Sequence, residues 1–426
     1  AIDERKDEII ALGEEIRVNP ELGYKEHKTA ALVEATYAKL GLEYRSGLAI
    51  TGSKAELPGA EHKVRVAVMG ELDAVVCPEH PAAALETGAA HSCGHNAQVA
   101  AMLGMAMGLI DANIMPELAG DVALMAVPAE EPVEIEWRQR LREAGKISFL
   151  GGKQELIALG ELDDIDMTVM FHSTSTAPNR KAVVGGTANG FVAKFIRYHG
   201  KEAHAGGAPH LGTNALNAAM LGLQGIHANR ETFQDADCIR VHPIITKGGD
   251  LVNIVPSDVR IETYVRGKTM PAILDASKKV NRALKAGALA VGAEVDIIEI
   301  PGFLPRVSNP LMDDLFRQNA IELLGEENVT AGSHGSGSSD IGDIMHIMPA
   351  IHPYVAGAAG LAHTKNYEII DQELFYVMPA KIMGMTIIDL LADGAKEALA
   401  VKEDFPPLLT KEAYLKQWQE FCSAEE

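Results

Sequence analysis

The chain has few cysteines, four in 426 residues, at Cys77, Cys93, Cys238 and Cys422. Their wide spacing excludes the dense disulfide framework of small secreted domains. Positive charge is also scarce: 38 Lys and Arg stand against 59 Asp and Glu, for a net charge of -21. That balance argues against a nucleic-acid-binding surface. No apolar run reaches the roughly 20 residues that cross a bilayer, and the opening AIDERKDEII is too charged for a signal peptide. Internal repeats and low-complexity segments are absent. These gaps lead to the expectation of a soluble, cytoplasmic protein with neither nucleic-acid nor membrane partners. What remains is an ordinary globular composition, 47% hydrophobic and 23% charged, over a length that exceeds one hydrophobic core. Two domains of unequal size are expected.

Apolar positions recur at helical spacing from about Asp3 to Arg17 and from Lys28 to Leu40, with Asn19-Pro20 and Gly41 as breaks. Val64 to Met69 reads as a buried strand that leaves Glu71-Leu72-Asp73 at its carboxyl end, where open α/β sheets place their ligands. Asn96 to Ile110, rich in Ala, Met and Gly and almost free of charge, reads as a buried helix. Asp121 to Val127 is a second apolar strand that delivers Glu130-Glu131, and Met167 to Phe171 a third that delivers His172. Strands alternating with helices predict an α/β domain, a mostly parallel sheet with helices on both faces. Past Gly185-Gly186 the pattern changes. Strands at Phe191 to Tyr198, Ile239 to Ile245, Arg260 to Arg266 and Glu294 to Ile300, with helices at Thr213 to Ala228 and Pro271 to Val291, spell β-α-β-β-α-β. That order predicts an inserted α+β unit of the split-βαβ (ferredoxin-like) kind. The boundaries read as 1–186 and 303–426 for the first domain and 187–302 for the insertion, with Pro301 to Pro310 as the return linker.

Cys93-Gly94-His95 and the adjacent pair Glu130-Glu131 set a thiol, an imidazole and two carboxylates close in sequence. Zinc-type sites accept S, N and O donors together, and a carboxylate that is not a ligand can take a proton from water. Taken alone, a Cys before an apolar helix is more often a buried small hydrophobe than a ligand. Gly94 permits a turn from which Cys93 and His95 converge. His172 follows the strand MTVMF, and His363 follows the Gly-rich PYVAGAAGLA. Several strand ends thus each offer a donor suited to one class of metal. Further along, Gly200 to Gly212 holds His204 and His210 in a Gly-rich loop, Asn253 to Pro256 makes a turn, and Gly335 to Asp343 reads as a flexible polar loop. Turn chemistry accounts equally well for each of these stretches.

These residues together resemble the zinc or manganese aminoacylase/carboxypeptidase family of metal amidohydrolases, in the subgroup of hippurate, auxin-conjugate and aminobenzoyl-glutamate hydrolases. Asn19 to Gly23 (NPELG) is similar to its N-terminal signature. His91 to Asn96 is similar to its cysteine-containing metal loop, Pro128 to Glu131 to its PAEE, Gly200 to Gly212 to its GK..HA..PH.G, and Asn253 to Pro256 to its N-V-I-P. Ser339 to Asp343 resembles a stretch of the aminobenzoyl-glutamate branch. The resemblance implies that Cys93, His95, Glu131, His172 and His363 hold two divalent metal ions, zinc or manganese. It implies Glu130 as general base, Asp73 as the group steering a ligating histidine, and the inserted unit as a lid. His204, from the lid of a partner subunit in a homodimer, would polarise the scissile carbonyl, and Asn253 would help hold substrate. His210 and Arg266 are further candidates for substrate, although Arg266 can also pair with Glu262 or Asp258.

The implied reaction is hydrolysis of an amide between an acyl or aroyl group and an amino acid. Hydrolytic deamination on the same site, and a metal-binding protein without catalysis, are the alternatives that the residues leave open. Three departures from the subgroup stand out: Asn96 where many members have Asp, Gln98 in place of a histidine, and the charged insertion EIEWRQRLREAGK, Glu134 to Lys146. Trp137, Arg138, Arg140 and Arg142 of that insertion are expected on a solvated helix face rather than at a pocket mouth.

Overall fold

A computed structural model of the chain describes residues 1–175 and 181–423. It divides into two compact units. The first comprises Ala1–Thr187, Val307–Ser333 and Asp343–Lys411, the second Ala188–Arg306, His334–Gly342 and the segment from Glu412 onward. The sequence boundaries assign His334–Gly342 and the C-terminal segment to the first domain, and here the structure differs. Hydrogen bonding accounts for the shorter piece: Asn189 N–H donates to Gly335 O at 3.1 Å, and Arg266 Nη1 donates to Ser338 Oγ at 2.9 Å.

In the first unit, strands β1 (Glu43–Leu48), β2 (Gly52–Leu57), β3 (Arg65–Glu71), β4 (Asp121–Val127) and β5 (Met167–Val169) join the short strand Ala350–Ile351 in the order β1-β2-β4-β3-β5-(350–351). β3 is parallel to β4 and β5, while β2 runs antiparallel to both β1 and β4. The sheet is therefore mixed. Its antiparallel edge is a hairpin whose outer strand is polar and exposed, so no apolar alternation marks it in the sequence. Helices α1 (Lys6–Val18), α2 (His27–Lys39) and α3 (His95–Asp111) accompany the sheet. α3 is buried almost throughout. Its glycines set the packing distance: a Cβ on Gly104 would stand 2.7 Å from Ile9 of α1. The helix across Glu373–Asp404 has the length and apolarity of a membrane span, yet 67% of that window is buried within the protein, as in a core helix. The insertion forms α4 (Ile135–Glu143) and is followed by α5 (Gly152–Leu159).

The second unit is an antiparallel sheet. β6 (Gly190–His199), β7 (Arg240–Val241), β8 (Ile244–Lys247), β9 (Asp258–Gly267) and β10 (Glu294–Pro301) pair in the order β7-β9-β6-β10, with β8 also on β9. The expected strand Ile239 to Ile245 is split at His242-Pro243, because proline has no N–H to give the ladder. β9 alternates buried and half-buried residues along its length, as a strand with one covered face does. Helices α6 (Ala215–Asn229) and α7 (Met270–Val291) each start on a capping side chain, Asn214 and Thr269, and α7 ends at Gly292 in the left-handed region. They cross at bare backbone: a Cβ on Gly287 would meet Ala218 O and Gly222 N at 2.4 Å. Gly287→Ala is expected to destabilise the protein by about 1–3 kcal/mol, through overpacking of this crossing. Thermal unfolding followed by calorimetry checks it, and an unchanged midpoint would exclude the close crossing.

Candidate metal centre

Parallel pairing brings the candidate residues to one edge of the sheet. Glu71 lies opposite Val127 in the β3–β4 register, so Asp73 and Glu131 emerge side by side, and Glu131 N–H donates to Asp73 Oδ2 at 2.9 Å. β4 stops at Pro128. Ala129 turns in the left-handed region (φ 53°), so Glu130 and Glu131 lie beyond the strand and not on alternating faces of it. Cys93 and His95 flank Gly94, which caps α3 with φ 87°. A Cβ there would strike Ser173 Oγ at 2.0 Å and Tyr367 Oη at 2.7 Å, so the loop needs glycine for both conformation and space. His172 starts a short strand paired with Tyr354–Val355, and His363 N–H donates to Ser92 O at 2.9 Å.

The five expected ligands converge in the first unit. Cys93 Sγ is 3.5 Å from His172 Nε2 and 3.3 Å from His363 Nε2, and His363 Nε2 is 3.0 Å from Glu131 Oε1. Two groups of donor atoms result, Cys93–His95–His172 and Cys93–Glu131–His363, each within 4.8 Å and sharing the Cys93 sulfur. Both suit a divalent cation of the zinc class. The fit is supported by His95: its Nδ1 donates to Asp73 O at 2.8 Å, while its buried Nε2 has no hydrogen-bond partner among the described residues. That leaves the Nε2 lone pair aimed into the cluster. Asp73 thus orients His95 through its carbonyl and Glu131 through its carboxylate. Glu130 is buried, with Oε2 3.9 Å from His95 Nε2.

The electrostatics draw positive charge inward. Although burial opposes it, His172 and His95 hold the Cys93 thiol well below its usual range. Burial and the Cys93 sulfur push the Glu131 carboxyl up. His172 is raised above 6.5 by Cys93 despite its burial.

The sequence did not single out Glu71 or Lys153. Both are fully buried, and Lys153 Nζ sits 2.5 Å from Glu71 Oε1. The signal present in the sequence was Glu71's place at the end of β3; nothing marks a lysine in the first turn of α5 as buried. Arg138 corrects the expectation of a solvated helix face. Its side chain is buried, with Nη1 donating to Leu150 O at 2.9 Å and the guanidinium 5.3 Å over the Tyr24 ring, while Arg140 is exposed. Trp137 carries Lys25 Nζ 4.1 Å above its ring. The insertion is therefore anchored to the segment that follows NPELG. The stretch Gly335 to Asp343 is not simply a polar loop either, since Asp340 and Asp343 are fully buried.

Within the second unit, His204 and Asn253 are neighbours: Ala205 N–H donates to Asn253 O at 2.9 Å, and His204 bridges Ile254. His204 Nδ1 accepts from Gly206 and Gly207 N–H at 3.2 and 3.0 Å, which places its proton on Nε2. His210, in the same loop, is exposed. Arg266 lies 5.3 and 5.4 Å over the rings of Phe191 and Tyr264, and Asp258 is engaged by Arg197, Lys247 and Arg260. Cys77, Cys93 and Cys238 are free thiols, whereas the Cys422 side chain lies outside the described residues.

Because Cys93 belongs to both donor groups, Cys93→Ala is expected to weaken binding of every divalent cation the centre takes, by tenfold or more on the order of a lost ligand. Calorimetric titration reads this out. Ligands must shed their protons to bind, and His172 holds its proton above its usual 6.5. Cation retention should accordingly weaken as pH falls and His172 keeps its proton, measured by metal content after dialysis.

Residues 67–379 match peptidase family M20/M25/M40. The Xaa-Arg dipeptidase of Mus musculus is 30% identical over 97% of this chain and 92% of its own length. The IAA-amino acid hydrolase ILR1-like 4 of Arabidopsis thaliana is 26% identical over 87% and 83%. A dinuclear metal binding peptidase of the M20 family from Bacillus subtilis shares the fold, with a TM-score of 0.68, 19% identity and coverage of 91% and 99%. The chain belongs to peptidase family M20/M25/M40 and is a hydrolase acting on C–N bonds.

Proposed function

We propose that the protein hydrolyses an amide between an acyl or aroyl group and an amino acid, the aminoacyl group of a dipeptide included. One observation carries the reading: the adjacent carboxylates divide their work. Glu131 lies with Cys93 and His363, whereas Glu130 reaches toward His95 without entering either Cys93 group. Cys93, His95, Glu131, His172 and His363 would hold two cations, zinc or manganese, whose chemistry is Lewis acidity toward water and a carbonyl oxygen. Relatives whose names are those of a dipeptidase and an amino acid hydrolase support a substrate that carries an amino acid.

Glu130 accepts the proton of the attacking water and passes it to the leaving amine. Asp73 keeps His95 in the tautomer whose Nε2 faces the cluster. His204, from the lid of a partner subunit, offers its Nε2–H to the carbonyl oxygen, where charge develops. Asn253, His210 and Arg266 are assigned to the rest of the substrate, and a homodimer is the proposed working unit.

Glu130→Gln is expected to lower turnover by roughly three orders of magnitude or more with metal content nearly intact. Undiminished turnover in that variant would remove Glu130 from the chemistry. Mass spectrometry of products from a panel of acyl-, aroyl- and aminoacyl-amino acids tests the bond. A free amino acid released by the wild type and not by Glu130→Gln is the expected result. Ammonia with a hydroxylated product would refute amide hydrolysis in favour of deamination.

A further inference from the structure

The donors of the two Cys93 groups leave a third carboxylate unexplained at the same edge of the sheet. Glu71 is the last residue of β3 and is completely buried. Its Oε1 faces the buried Lys153 Nζ at 2.5 Å, and its Oε2 accepts from Gln98 Nε2 at 2.8 Å. The Gln98 amide also accepts the Glu71 N–H at 2.9 Å, so the carboxylate is gripped from its backbone and from both oxygens. Glu71 Oε2 then stands 3.1 Å from His95 Nε2.

That distance falls in hydrogen-bond range, yet among the described residues His95 Nε2 has no partner in bonding geometry. The nitrogen points beside the oxygen and not at it. Nδ1 is taken up by Asp73 O, so Nε2 is the ring nitrogen that can ligate, and a cation lying between it and the Glu71 oxygen would hold both in this arrangement. Two ligand atoms, each about 2.0–2.2 Å from one cation, stand roughly 3 Å apart and off each other's axis. The separation in this centre is of that size. Glu71, His95 and Glu130 also offer donor atoms that all lie within 4.8 Å of one another, a group distinct from the two that share Cys93.

We infer that Glu71 is a further metal ligand, its Oε2 sharing with His95 Nε2 one divalent cation, while Lys153 occupies Oε1 so that the carboxylate binds through a single oxygen. The inference rests on the proposed metal hydrolase and adds to it an anionic ligand that neither Cys93 group contains. Lys153 has a second consequence. It offsets one negative charge in a centre that already buries Cys93, Asp73, Glu130 and Glu131, so the extra carboxylate does not burden the fold with an uncompensated anion.

The test is calorimetric titration with Co²⁺, together with visible absorption of the loaded protein, because the Co²⁺ bands report ligand number and type. Wild type is compared with the neutral pair Glu71→Gln/Lys153→Met, which removes both buried charges and leaves none unpaired. Glu71→Asp is the second variant; it keeps the charge opposite Lys153 but draws the oxygens back by one methylene. Two Co²⁺ ions are expected in the wild type. Each variant should bind one of them at least about tenfold more weakly, with altered absorption, and the other unchanged. Two ions bound with wild-type affinity and unaltered bands in either folded variant would overturn the inference and leave Glu71–Lys153 a structural ion pair. A wild type that takes up no divalent cation would instead overturn the hydrolase proposal, and this inference with it.

Discussion

The first unit is organised around a concentration of negative groups in a dry interior. Glu71, Asp73, Cys93, Glu130 and Glu131 are all buried along one sheet edge. Removing such groups from water costs several kcal/mol for each uncompensated charge, so the surrounding chain has to supply counter-charge or donors. It does so unevenly. Lys153 answers Glu71 and a backbone N–H answers Asp73, while the imidazoles of His95, His172 and His363 gather around Cys93 and Glu131. Histidine can meet an anion with a proton or leave room for a cation, and this choice makes the cluster a receptive site as well as a stable one.

Precision at that edge comes from backbone geometry more than from side-chain packing. The parallel β3–β4 register fixes Asp73 against Glu131, and the left-handed turns at Gly94 and Ala129 aim Cys93, His95, Glu130 and Glu131 from both sides. Arg138 adds support from behind. Its side chain, buried beneath α4, ties the insertion to Tyr24 and Leu150, so the segment that departs most from the related subgroup is also part of the scaffold.

Much of this was legible from residue order. α3 showed itself through a long run without charge, β4 through six consecutive apolar residues stopped by a proline, and the five convergent donors through motif context. The hairpin Glu43–Leu57 was not legible, since its polar outer strand is held by pairing with a neighbour rather than by an apolar face. The break at His242-Pro243 was marked by its proline and still passed over, because apolar residues continue on either side. Glu71 and Lys153 are 82 positions apart, and a lysine buried by one tertiary partner leaves no local trace. Arg138 escaped for a related reason: charged helices are solvated by default, and only the fold shows which of four neighbouring side chains turned inward.

The second unit, inserted in sequence within the first, also sets the order in which the first can be completed. β5 pairs with Ala350–Ile351, and His363 joins Cys93 from 270 positions downstream, whereas the sheet of the second unit is assembled from one continuous stretch. A chain emerging from its N-terminus therefore makes every strand of the second unit's sheet before the sheet of the first unit can be completed. Until His363 arrives, Cys93 and Glu131 lack one of the partners that tame them. That cluster of buried anions is thus completed only after every strand of the second unit's sheet has been made.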